Sequence, residues 1–352
     1  MLSSLVYARD AYTKLLVANL SGPHQVVTSC LGFSAAVAKR QVAVAYVDCD
    51  LLPQIQGDTA GLPIVGIFDG SLEAAVRLLV QFPWLSHLVS PVMLSAPGAK
   101  ASLGMVRHRI DCHGTDHHVL SANSVGRAAL VAASNRRESR IERVREYFEA
   151  QNASAKTIAR VTDVAEELIV NALYDAPVEA GYFMTPVERT ADVELPPERA
   201  CELSYGLDDG YAFVRCRDPF GALTRHRLAS VLERCNTHSV SLDESRGGAG
   251  LGLWRIFSSA SSIAIVCIPG QLTDIIVWFE LRTSRTKNVT TEIVPLQGGS
   301  VSGLPSTAPS ARLQAVQLFF PQEHARDSAR GRFAADHDYD LIDESFTALL
   351  SS

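Results

Sequence analysis

The sequence predicts two fold types in one chain: an α/β domain built on a parallel sheet over residues 1–105, followed by an α+β sandwich over 139–282. Three observations predict this. Apolar runs alternate with helical stretches in the first third, which implies parallel strands covered on both faces. Two helix patterns followed by two hairpins in the second half imply helices laid on an antiparallel sheet. The chain of 352 residues, 47% hydrophobic, is long enough for two cores.

In the first part, KLLVANL (14–20), VAVAYVDCD (42–50), LPIVGIFDG (62–70) and HLVSPVML (87–94) read as strands. SLEAAVRLLVQF (71–82) carries Leu72, Ala75, Val76 and Leu79 at helical spacing. Residues 106–138 read as a polar connection running into a helix. His113, His117 and His118 lie there, and the turn-like Gly114-Thr115-Asp116 between them favours a solvated linker over a metal site. SRIERVREYFEAQ is an amphipathic helix with Ile141, Val144 and Phe148 on one face. TIARVTDVAEELIVNALYDA is a longer one, facing inward through Ile158, Val161, Ala165, Leu168 and Ala172. ACELSYGL and GYAFVRCRD form a hairpin around Asp208-Asp209-Gly210, and SSIAIVCI and TDIIVWFEL a second through Pro269-Gly270. Residues 283–352 read as a Ser/Pro-rich linker and an acidic tail, with one apolar run, AVQLFF, at 315–320.

Charge and cysteine usage exclude whole classes. A formal net charge of -6 argues against a nucleic-acid binder, which needs a basic face to displace counterions. Seven scattered Cys, with no C-x-x-C pair, argue for reduced thiols and against a zinc ribbon. No apolar run is long enough for a membrane span, and Arg9 and Asp10 interrupt the start where a secretory signal would be apolar. The expected location is cytoplasmic.

The N-terminal part loosely resembles the receiver domain of response regulators, in a degenerate form. Asp48 and Asp50 follow the VAVAYV strand, where that family carries its phospho-acceptor, but Ser90-Pro91 stands where it has Lys-Pro. The acidic cluster expected after the first strand is missing, because Ser21-Gly22-Pro23 follows KLLVANL.

Three segments of the second half carry chemistry. Glu167 and Asn171 lie one turn apart on the long helix, offering a carboxylate to orient a nucleophile and an amide oxygen suited to Mg²⁺. Asp218 ends the strand VRCRD and is followed by Pro219-Phe220-Gly221; a carboxylate there can accept a hydrogen bond from an exocyclic amine. Gly248-Ala249-Gly250-Leu251-Gly252-Leu253 opens a helix, where backbone N–H groups converge on anionic oxygens. The run neither follows a strand, as a dinucleotide fingerprint would, nor ends in the Lys-Ser/Thr of a P-loop.

In this order the three segments resemble the GHKL ATPases, over roughly 139–282. The likeness comprises an N box (Glu167, Asn171, Ala172), a first glycine box (Asp218, Gly221) and a last one (Gly248 to Leu253). It implies an ATP–Mg²⁺ site in a Bergerat fold. Asn171 would ligand Mg²⁺, Asp218 would hold the adenine amine, Gly248, Ala249, Gly250, Leu251 and Gly252 would wrap the phosphates, and Glu167 would be the general base. Residues 222–247, with Ser241, Ser245 and Arg246, would form the lid. Pro219 with the displaced Gly221, and Asp175 where many relatives have His, depart from the family pattern and predict weaker binding.

No helix ahead of residue 139 carries a phospho-acceptor His motif, and no transducer domain follows 282. The resemblance is therefore nearest the anti-sigma-factor serine kinases. It implies a regulatory protein kinase or weak ATPase acting on a sigma-factor-like or anti-anti-sigma-like partner, with homodimerisation allowed. The alternative is a non-catalytic, nucleotide-gated signalling adaptor with a pseudo-receiver domain.

Overall fold

A computed structural model describes residues 3–55, 61–111, 120–236, 251–281 and 313–319. The first half runs β1 (Ser3–Tyr7), α1 (Asp10–Asn19), β2 (His24–Val26), α2 (Cys30–Ala38), β3 (Val42–Asp48), β4 (Ile64–Ile67), α3 (Leu72–Gln81), β5 (His87–Val89), α4 (Pro91–Ser95) and α5 (Ala99–Asp111). The second half begins with β6 (Val125–Val131), α6 (Arg137–Ala150), α7 (Ala155–Val170), α8 (Ala176–Glu179), β7 (Cys201–Asp208) and β8 (Tyr211–Asp218). It continues through α9 (Arg225–Asn236), α10 (Leu251–Ser259), β9 (Ser262–Ile268), β10 (Leu272–Glu280) and β11 (Ala315–Phe319).

The described strands form one mixed sheet in the order β2-β1-β3-β4-β5-β11-β9-β10-β8-β7-β6. β1 to β5 pair in parallel. β9, β10, β8, β7 and β6 pair antiparallel. A mixed α/β architecture was the coarse expectation, and both hairpins form as read. The β7–β8 turn places Asp209 at φ 47 and Gly210 at φ 84, the two left-handed residues a type I′ turn requires.

Continuous apolar strands such as Val42–Asp48 need cover on both faces. One face packs under α2, α3, α6, α7, α9 and α10 in a single core. The opposite face of the first half is covered by α1, α4 and α5. No helix among the described residues is long and apolar enough to cross a membrane.

Several segments differ from expectation. KLLVANL is helical: Tyr12, Leu15, Leu16 and Leu20 recur at helical spacing and pack on one side, and a short apolar run hides that period. The first strand is therefore Ser3–Tyr7, and Ala8-Arg9-Asp10 follows it. HLVSPVML stops being a strand at Val89, because Pro91 fixes a helical φ and the Ser90 hydroxyl accepts from Met93 N at 3.3 Å, capping α4. The connection at 106–138 contributes the end of α5 and the edge strand β6, with the next α-helix opening at Arg137. His113, His117, His118 and the acidic tail lie outside the described residues.

The expected linker after 283 supplies β11, fully buried between β5, to which it runs antiparallel, and β9, to which it runs parallel. Its Gln317 accepts from Arg109 Nη1 at 3.1 Å and donates to the Val106 carbonyl at 3.1 Å. The Arg109 guanidinium stacks 4.0 Å from the Trp278 ring centroid, and the Trp278 indole donates to Asp208 at 2.7 Å. Burial lowers the Arg109 pKa to about 10, with Asp208 and Asp209 pulling it back up. This polar network joins α5, β7, β10 and β11, so both halves share one sheet and one buried charge pair.

Candidate functional site

The long helix α7 starts at a Ser154 cap, whose hydroxyl accepts from Thr157 N at 3.2 Å. It widens into a π-helical turn over Asn171–Asp175 before α8. Pro177 explains the widening: its ring excludes the carbonyl four residues back and it donates no N–H. Asn171 therefore stands where the helix changes pitch.

Gly252, in the first turn of α10, meets this helix at the predicted residues. A Cβ at Gly252 would collide with Glu167 Oε2 and stand 3.5 Å from Asn171 Oδ1. The missing side chain leaves the Glu167 carboxylate lying directly against the start of α10. Glu167, Asn171, Leu251 and Gly252 are thus brought together; Gly248, Ala249 and Gly250 lie outside the described residues.

Asp218 closes β8, on the same strand face as Cys216 two residues earlier. The Cys216 thiol donates to the Leu168 carbonyl at 3.8 Å, so this face looks at α7 one residue beyond Glu167. Asp218 is 7% exposed, and its Oδ1 accepts from Phe220 N at 3.0 Å. Burial pushes its pKa up to about 6; hydrogen bonding from the following turn opposes the shift. Gly221 takes φ +56, a left-handed conformation that glycine adopts without strain, and a Cβ there would strike the Ile268 carbonyl and stand only 2.7 and 2.8 Å from Gln271 N and Gly270 N of the β9–β10 turn. The departure from the glycine-box pattern thus has a structural counterpart. Phe220 is buried against Tyr182, ring centroids 5.8 Å apart, and Arg199 donates to the Pro219 carbonyl at 2.9 Å.

Arginines complete the site, and sequence reasoning missed them. Arg255 Nη1 donates to Glu167 Oε1 at 2.8 Å. Arg189 Nη2 donates to Asp175 Oδ2 at 3.0 Å, and its Nη1 stands 3.8 Å from Glu167 Oε2. Arg255 lies three residues past Gly252 on α10, a spacing that could have flagged it. Arg189 sits in the connection between α8 and β7, with no pattern around it. The extra negative charge expected of Asp175 is therefore matched by a cation. Burial raises the Asp175 pKa, and Arg189 opposes that rise.

The predicted lid divides. Its first part is helix α9, packed on α3 of the first half, while 237–250, with Ser241, Ser245 and Arg246, lies outside the described residues. Just ahead of Leu228, Arg225 Nη2 donates to the carbonyls of Leu79, Phe82 and Leu85 at 3.2, 3.2 and 2.7 Å, closing the end of α3. A cavity of about 520 Å³ lies between these helices, lined by Glu73, Arg77, Gln81 and Glu233, and contains none of the predicted site residues.

In the first half, Arg9 fills the fork between β1 and β3. Its Nη2 donates to Asp48 Oδ1 at 2.9 Å, its Nε pairs with Asp48 Oδ2, and it also pairs with Asp50. Burial pushes the 1%-exposed Asp48 carboxyl upward, but hydrogen bonds from Arg9 and Asp50 N outweigh that and hold it below its ordinary value. Among the described residues, no group of three or more His, Cys, Asp and Glu could hold a metal ion.

Compared with known protein families and with curated proteins, this chain matches none.

Proposed function

We propose that this chain binds ATP–Mg²⁺ in a GHKL-type site and acts as a regulatory protein kinase of the anti-sigma type in signal transduction. The observation that carries the reading is the seating of Gly252 against Glu167 and Asn171, with the buried Asp218 on the sheet face beneath the same helix. A glycine-opened helix end gathers phosphate oxygens. Asn171 would supply one neutral oxygen to a Mg²⁺ ion, a cation that usually keeps several waters and needs no dedicated carboxylate cage. Bound Mg²⁺ would supply charge neutralisation for phosphoryl transfer. Asp218 accepts the adenine amine, and Glu167 orients the incoming hydroxyl.

The first half reads as a pseudo-receiver. Its parallel strands follow the order 2-1-3-4-5 found in receiver domains, and the fork between β1 and β3 is where such sheets place their ligands. Here an arginine occupies that fork. The ion pairing of Glu167 favours a second reading, a nucleotide-gated adaptor without turnover. Incubation with γ-labelled ATP and candidate sigma-factor-like or anti-anti-sigma-like partners decides between them. Label on a partner, lost in Glu167→Ala, supports the kinase; saturable ATP binding with neither hydrolysis nor transfer supports the adaptor.

A further inference from the structure

Four charged side chains meet where the proposed phosphate site lies: Glu167 and Asp175 on one helix, Arg189 from the following connection and Arg255 from α10. The cluster is neutral as a whole but incompletely closed. Among the described residues, Glu167 Oε2 is inaccessible to water and accepts no hydrogen bond, and Arg189 Nε is buried with no acceptor. Arg189 Nη1 stops 3.8 Å short of that same Oε2. One oxygen of the Glu167 carboxylate thus lacks a donor and one nitrogen of the Arg189 guanidinium lacks an acceptor, so each group, though paired elsewhere, keeps hydrogen-bonding capacity that an added anion and a shifted side chain can fill.

Arg255 also has room to move. The Arg255 side chain is 69% exposed, and α10 presents it on the turn after Gly252. A phosphate at the start of α10 would stand beside Glu167, whose carboxylate abuts Gly252. Two bare carboxylates there would repel a polyphosphate.

We infer that Arg189 and Arg255 read the third phosphate of the nucleotide: they exchange their ion pairs with Glu167 for the terminal phosphate, so the site prefers a nucleoside triphosphate to a diphosphate. The same exchange frees the Glu167 carboxylate only when a triphosphate is present. This inference rests on the nucleotide-binding reading above. A planar guanidinium fork suits the task, since it binds a phosphate through two parallel N–H bonds.

The test is calorimetry of the full chain with Mg-ATP and Mg-ADP. The wild type is expected to bind ATP at least ~10-fold more tightly than ADP, a gap of ~1.4 kcal/mol. Arg255→Met and Arg189→Met are each expected to weaken ATP ~10-fold or more while ADP changes less than ~3-fold. Asp175→Asn in the Arg189→Met background is expected to recover part of the ATP affinity, because it removes the charge left uncompensated. Circular dichroism checks the fold of each variant, and if Arg189→Met does not fold, the exposed Arg255→Met carries the test alone. Equal weakening of ATP and ADP, no change in either, or a wild type indifferent to the third phosphate overturns the inference and leaves nucleotide binding standing. A wild type that binds neither nucleotide removes the functional reading first, and the inference with it.

Discussion

Gly252 and Glu167 touch so closely that the α-carbon of one leaves no room for a methyl group beside the carboxylate of the other. This contact joins two segments that stand far apart in the chain, and any side chain at position 252 must push the Glu167 carboxylate aside. Gly252→Ala must either displace the Glu167 carboxylate or lift the start of α10. Because the group displaced is the tip of a flexible side chain, the cost in stability should stay below ~1 kcal/mol and the effect should fall mainly on the site. The expected result is a urea midpoint close to that of the wild type together with a loss of ATP affinity of more than ~10-fold. Unchanged ATP affinity in that variant would mean the contact has no role in holding the site.

Asp218 makes the pH dependence informative. Its folded pKa of about 6 lies above the ordinary carboxylate value of 3.8, because burial disfavours its charge. As pH falls through about 6, the folded protein takes up this proton before the unfolded chain does. The group therefore adds stability between about pH 6 and 3.8 and adds no further change below it. At ~1.4 kcal/mol per unit, the gain is at most ~3 kcal/mol. Asp48 acts with the opposite sign, since Arg9 holds its pKa down and its contribution disappears on acidification. Subtracting the Asp218→Asn stability curve from that of the wild type isolates the Asp218 part. A flat difference between pH 4 and 7 would contradict its burial as a carboxylate.

Asp48 is expected to resist phosphorylation. Arg9 and the Asp50 backbone engage both of its oxygens, and solvent barely reaches it. Incubation with acetyl phosphate should leave the intact mass unchanged, and Arg9→Ala should lower stability by ~1–3 kcal/mol through the unpaired buried carboxylate. A stoichiometric acyl phosphate on Asp48 in the wild type would show that the pseudo-receiver reading is mistaken.

Strand β11 is expected to hold the two halves together. Gln317→Ala leaves Arg109 Nη1 and the Val106 carbonyl without these partners inside the protein, for an expected loss of ~2–4 kcal/mol. Ending the chain at residue 312 uncovers the facing edges of β5 and β9 and should give aggregation. A monomeric, cooperatively folding shortened chain would show β11 to be dispensable.

These outcomes also mark what sequence alone could reveal. The α7 face, both hairpins and the helix after the glycine run were legible because their periods are long or their turn residues specific: Asp209-Gly210 permits little but a tight hairpin. The contact of Glu167 and Asn171 with the glycine segment was legible as order along the chain, though not as distance. α1 was misread because a seven-residue run with five apolar members, KLLVANL, fits either period, and only the packing of Leu16 and its neighbours decides. The AVQLFF run was visible but not its role as β11, since a five-residue segment with four apolar members in a Ser/Pro-rich stretch becomes a strand only when β5 and β9 both lack a neighbour. Arg189 and Arg225 act through side chains that reach across the fold, and no local pattern announces such reach.

The most direct test of nucleotide binding is calorimetric titration of the full chain with Mg-ATP, beside Asp218→Asn. Asparagine keeps the acceptor that Phe220 N uses, so the fold should survive. The expected result is saturable one-site binding in the wild type, weakened by ~1–3 kcal/mol in the variant through the buried amine contact. No binding heat in the wild type, or equal affinity in the two proteins, would contradict an adenine held by Asp218.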